Sequence, residues 1–180
     1  MCLDPVKTIL KAKKEKNMAK TLGFLIITSL IFGISSILLM KNFLFGSTAL
    51  IFGVAMFLIS LVFALVFGLT IQISVTILGG KGKYFEGLTS ITYPLFYLSA
   101  GLLAISLLSF LPFTGALNII IIFVSFATAV SVLYRGIKEL FSLDMVTTFV
   151  VVSIQTLVIV VAIYSTMMMN LGTMMGGMMI

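Results

Sequence analysis

No histidine occurs in this chain, cysteine occurs once, and only five carboxylates face eleven lysines and arginines. Each shortage removes a class of chemistry. Without histidine there is no Ser-His or Cys-His nucleophile pair and no imidazole metal ligand. The single Cys2 forms no disulfide framework and no Cys-rich metal site. No carboxylate falls within the long apolar runs, which excludes an intramembrane aspartyl pair and the usual proton relay. Charged residues are 9% of the chain and hydrophobic ones 61%. That is too little polar surface to clothe a soluble globule, in which about a quarter of residues are charged. Catalysis by this chain alone is not expected, and neither is a resident cofactor.

The charges that are present are grouped. All five carboxylates and every Lys or Arg except Lys41 fall within residues 4–20, 81–86 and 135–144. An ionised side chain at the bilayer centre costs roughly 2.5 to 3.5 kcal/mol, so long charge-free runs between charged segments describe a multi-spanning membrane protein. The net charge of +6 sits beside lipid, where its partner is an anionic leaflet and not nucleic acid.

Leu22 to Met40 is the first run, long enough at about 28 Å to cross a hydrocarbon core. It exceeds a signal-peptide h-region and no A-x-A site follows, so a retained helix is expected. Phe43 to Leu78 would extend about 54 Å as one helix, and no Pro, Asn or Asp near Ser60 supplies a turn to split it. Charge parity decides. As one span, it leaves only Lys41 opposite all other basic residues; as two, the basic residues divide six against five. Leu88 to Leu111, Leu117 to Leu133 and Met145 to Met169 follow, the last two separated by a charged loop from Tyr134 to Asp144. The expected fold is all-α, a polytopic transmembrane bundle of five spans with its N-terminus cytoplasmic and its C-terminus extracytoplasmic. Ser60, Ala64 and Gly68, Ala100 and Ala104, and Ser125 and Ala129 give four-residue small-side-chain spacings for close helix packing. Residues 1–20 read as a basic N-terminal segment, 21–170 as the membrane domain and 171–180 as a Met/Gly-rich tail.

Asp4-Pro5 is a helix-start signal, after which Val6, Ile9 and Leu10 share a face beside Lys7, Lys11 and Lys14. These lysines either hold a surface helix on anionic lipid or simply orient the first span; the fading of the apolar face after Leu10 favours orientation. Gly79-Gly80-Lys81-Gly82-Lys83 has a phosphate-cradle composition. A P-loop, however, needs Gly and Ser or Thr where Ile77 and Tyr84 stand, so no nucleotide is expected. The segment remains a basic turn, open to lipid phosphates, to a partner's carboxylate or to neither. Arg135, Lys138 and Glu139 add a second charged contact region on the same face. Seven of the twelve methionines crowd into residues 167–179. Met174, Met175, Met178 and Met179 would be the soft ligands of a Cu(I)-type tail, but methionine as flexible apolar filler is the simpler reading.

Leu78-Gly79-Gly80-Lys81-Gly82-Lys83-Tyr84-Phe85, then Tyr93-Pro94, then Gly136-Ile137-Lys138-Glu139 resemble the Yip (Ypt-interacting protein) domain family from the first span to the fifth. The resemblance implies a compact five-helix membrane domain without known enzyme activity. Its eukaryotic members associate with Rab-type GTPases and with one another in vesicle traffic. Those members carry a long polar N-terminal region, whereas about twenty lysine-rich residues precede the first span here, so a minimal, prokaryotic-like member is expected. Gly79, Gly80, Lys81, Gly82 and Pro94 match the motif, with turn geometry and helix entry as sufficient reasons for them.

The function these features favour is association within the cell membrane, as an organiser or accessory subunit binding a membrane-protein partner or a second copy. The competing expectation is a small transporter, channel or lipid-translocating protein. That would require Gln72, Asn118, Gln155 and the Ser and Thr residues to converge on one cavity.

Overall fold

The computed structural model describes residues 8, 9, 11, 13, 15, 17–41, 46–111 and 114–176; at 46, 160 and 162–176 the backbone alone is described. Among the described residues five long helices follow one another, α1 (Met18–Met40), α2 (Gly46–Ile77), α3 (Tyr84–Leu108), α4 (Gly115–Phe141) and α5 (Met145–Gly176), and there is no strand. The first four are long and apolar enough to cross a membrane, and α5 contributes a shorter apolar stretch, Met145–Ile159. Asn17 caps α1, its side chain accepting from the Lys20 N–H at 3.1 Å. The long apolar run is a single helix of 32 residues, about 48 Å, as charge parity required.

One expectation is corrected. Tyr134 to Asp144 is not a loop: α4 continues to Phe141, and only Ser142 to Asp144 join it to α5. Leu133, Ile137, Leu140 and Phe141 are buried at helical spacing, so the bundle holds the last two turns of α4 where its other face has become charged. For Pro94 the sequence leaves open whether it starts the membrane helix or interrupts one that begins with an interfacial turn at Phe85, and the structure has the second arrangement. Pro94 lies ten residues inside α3, buried, where its missing N–H removes the bond that would have gone to Ser90.

α3 is the central helix, packed on α1, α2 and α4; α5 lies more lightly on α4 and α2. The seams are built by backbone approach. A Cβ on Gly33 would stand 2.9 Å from the Gly53 carbonyl, and one on Gly68 would stand 2.9 Å from Leu88 Cα. Ser60, Ala64 and Gly68 are buried together, as their spacing predicts. On α3 the tight positions are Gly87, against Gly68, and Gly101, against Ser125, whereas Ala100 and Ala104 are only half-buried.

The interior contains many hydroxyls, and most donate to their own helix. Thr28 bonds to Phe24 O, Ser35 to Ile31 O, Ser36 to Phe32 O and Thr92 to Leu88 O, all within 2.9 Å. These bonds satisfy polar groups where lipid supplies no water. Gln155 is different. Its fully buried amide accepts from Thr70 Oγ1 and donates to Ser74 Oγ, each at 2.9 Å, fastening α5 to α2.

Candidate functional site

The α2–α3 and α4–α5 turns meet at one end of the bundle. α2 stops because Gly79 takes φ +79°, a left-handed conformation open to glycine. Its N–H then bonds to Thr76 O at 3.1 Å and that of Gly80 to Val75 O at 2.9 Å, the paired bonds of a Schellman cap. A Cβ on Gly80 would come within 2.9 Å of Leu143 Cδ2, and one on Gly82 would strike the ring of Phe141. The glycines of the basic turn are therefore fitted to the end of α4. Lys83 opens α3, its N–H bonding to the Glu86 carboxylate at 2.7 Å, with Glu86 itself largely buried.

The end of α4 is capped in the same style without glycine. Ser142 takes φ +53°, and the N–H groups of Ser142 and Leu143 both reach Lys138 O. Lys13 adds a cation: its ammonium donates to Ser142 Oγ at 2.7 Å and to the carbonyl of Glu139. Positive charge is favoured where helix carbonyls are unpaired. Ile9, four residues earlier, is 1% exposed and belongs to the apolar core. Ile9 and Lys13 thus pack onto the bundle, a contact beyond the orienting role expected of the lysines. The Asp4-Pro5 start signal, Val6, Lys7, Leu10 and Lys14 lie outside the described residues.

Asp144 begins α5, one carboxylate oxygen accepting from the N–H of Val146 and of Thr147, each at 3.0 Å. Hydrogen bonds from the Thr147 side chain and backbone hold its carboxyl below the usual range. Between the turns lies an open cleft of about 410 Å³, walled by Leu78–Lys81 on one side and by Phe141–Asp144 with Thr147 on the other.

Of the residues expected to act here, Gly79, Gly80 and Lys81 line the cleft and Gly82 supports its Phe141 wall. Lys83 and Arg135 are exposed, and Lys138 and Glu139 half-buried, on the surface beside it. Phe141, Ser142 and Lys13 were not singled out from the sequence, and Asp144 was read only as loop charge. Its helix-start signal, an Asp three residues before Thr147, was legible. Gln72, Asn118 and Gln155 do not meet. Gln155 lies between α2 and α5, whereas Asn118 is in the first turn of α4, at the opposite end of the bundle. The side chains of Met174 and Met175 are not described, and Met178 and Met179 lie outside the described residues.

Antiparallel apolar helices of membrane-crossing length, with the charged turns gathered at one end, define a multi-span integral membrane protein. The chain belongs to the Yip1 domain family, whose model matches residues 1–175. No curated protein and no solved structure matches it.

Proposed function

We propose that this protein acts by association, as a non-enzymatic organiser or accessory subunit of a membrane complex, with the surface built by its two charged turns as the contact face. The observation that carries this reading is the packing of Gly80 on Leu143 and of Gly82 on Phe141. It joins two segments far apart in sequence into one surface, from which Lys81, Lys83 and Arg135 project. By the positive-inside bias this face is the cytoplasmic one, and in our reading it lies at the cell membrane and meets anionic lipid there through charge that salt screens. Transport has less support, because most interior hydroxyls, Ser29 and Ser99 excepted, are turned onto their own helices and the buried amide of Gln155 is occupied.

The test replaces Lys81, Lys83, Arg135 and Lys138 together by alanine and compares affinity-purified complexes in mild detergent. Loss of a stoichiometric partner with an unchanged melting profile supports association. An unchanged complex, or solute flux in proteoliposomes of the pure protein, counts against it.

A further inference from the structure

The cleft carries one cation, Lys81, and one anion, Asp144, around apolar walls that include Leu78, Phe141 and Leu143. The two charges share the cavity without forming an ion pair, and neither joins one elsewhere among the described residues. A cleft of this size suits a small polar group. Two separated opposite charges call for a ligand that bears both signs.

Position narrows the source. The cleft lies between the end of α2 and the start of α5, helices joined nearby through Gln155. Beside its mouth Ile77 is 77% exposed, Met145 68% and Val146 72%. A bare apolar rim at a helix end is the surface shown to acyl chains, so a ligand bringing its own hydrocarbon fits where a free solute would leave that rim in water. Chemistry narrows the head group. Asp144 retains acceptor capacity beyond its bonds from the Val146 and Thr147 N–H groups and from the Thr147 side chain, since a carboxylate has about four lone-pair sites, and a primary ammonium can use it where a quaternary one cannot. A quaternary ammonium seeks an aromatic cage, and among the described residues lining the cleft Phe141 is the only aromatic one.

We propose that this cleft binds the head group of an ethanolamine phospholipid drawn from the adjacent monolayer, with Lys81 on the phosphate and Asp144 on the ammonium. The site is stereochemical and separate from the diffuse attraction of the basic surface for anionic lipid. It does not depend on the association reading.

The experiment is competitive native mass spectrometry of the full chain in mild detergent, with equimolar dioleoyl phosphatidylethanolamine, phosphatidylcholine and phosphatidylglycerol, and glycerophosphoethanolamine as the acyl-free control. The ethanolamine lipid is expected to be retained about fivefold over either competitor, the scale of one or two partly exposed charge pairs. Asp144→Asn keeps the helix cap, since Asn caps as well as Asp. It should lower retention of phosphatidylethanolamine and raise that of phosphatidylglycerol, while Lys81→Gln lowers both. Opposite movement of the two lipids is what a basic surface alone would not give. Asp144→Asn raising both lipids together, or leaving both unchanged, overturns the proposal. Equal binding of glycerophosphoethanolamine overturns the assignment to lipid.

Discussion

Gly82 lies directly beneath the ring of Phe141, with no room between them for a methyl group. The contact joins the basic turn to the last residue of α4, so a change at either position alters the shape of the whole charged end. Gly82→Ala should lower stability by about 1–3 kcal/mol, the usual cost of overpacking. The check is thermal unfolding in detergent, where an unchanged midpoint would show that the turn can move away freely.

The helix seams predict a graded glycine series. Gly68→Ala places its methyl against the backbone of Leu88, which can yield only if α2 and α3 separate, at a cost of about 1–3 kcal/mol. Gly101→Ala would set its methyl 2.6 Å from Ser125 Cβ, which rotation of the hydroxyl does not move, so α3 and α4 must separate and the cost should be similar. Gly23→Ala meets nothing within 4 Å and should stabilise α1 by up to about 1 kcal/mol. Unfolding midpoints lowered in the first two variants and not in the third check the series; a Gly68 variant as stable as the parent would contradict it.

Gln155→Leu should cost only about 1 kcal/mol despite breaking two interhelical bonds. Such bonds average about 0.6 kcal/mol in membranes. The hydroxyls left behind also keep partners, Thr70 on Phe67 O and Ser74 on Thr70 O, each at 2.9 Å. Thermal unfolding of the variant checks this, and a loss of several kcal/mol would mean that α5 has almost no other attachment.

How much of this was legible in the residues varied with the reach of the signal. The single α2 followed from charge parity, a property of the whole chain, although no local turn signal bore on it. The extent of α4 was misjudged because charge marks where lipid ends, and the helix continues past that point on the apolar hold of Ile137, Leu140 and Phe141. Gly80 and Gly82 were readable as turn residues, but the partners that require them, Leu143 and Phe141, lie some sixty residues away. The apolar face of Val6, Ile9 and Leu10 was legible, but a stripe this short does not tell lipid from protein as its partner, and Ile9 is buried in the bundle core.

Lys13→Ala should free the N-terminal segment without unfolding the bundle. It removes donors to Ser142 and Glu139 at a helix C-terminus, an interaction typically worth 0.3–1 kcal/mol at an exposed site. Amide exchange around residues 8–15 should accelerate while that of α3 is unchanged, and Ile9→Asp should give the larger effect because Ile9 is in the core. Equal protection in both variants would place the hold elsewhere.

The α5 cap should be acid-sensitive. Asp144 has its carboxyl pKa lowered in the folded chain by the Thr147 hydrogen bonds. Its contribution is therefore complete above the ordinary carboxylate range and fades as pH falls through the lowered value. Amide exchange at Val146 and Thr147, corrected for intrinsic rates, should show protection weakening at that acid edge. Asp144→Asn should abolish the pH dependence while keeping the cap.

The seams in which Gly33 meets Gly53 and Gly68 meets Gly87 bring helix backbones nearly into touch. A bundle drawn so tight has little lumen, and most of the circumference of α2, α4 and α5 is turned outward, as their many exposed Leu, Ile, Val and Phe side chains show. Neighbours are therefore met along the flanks, by molecules moving in the plane of the membrane, and at one charged rim. The small residues inside set how much outer surface this protein can offer to other molecules.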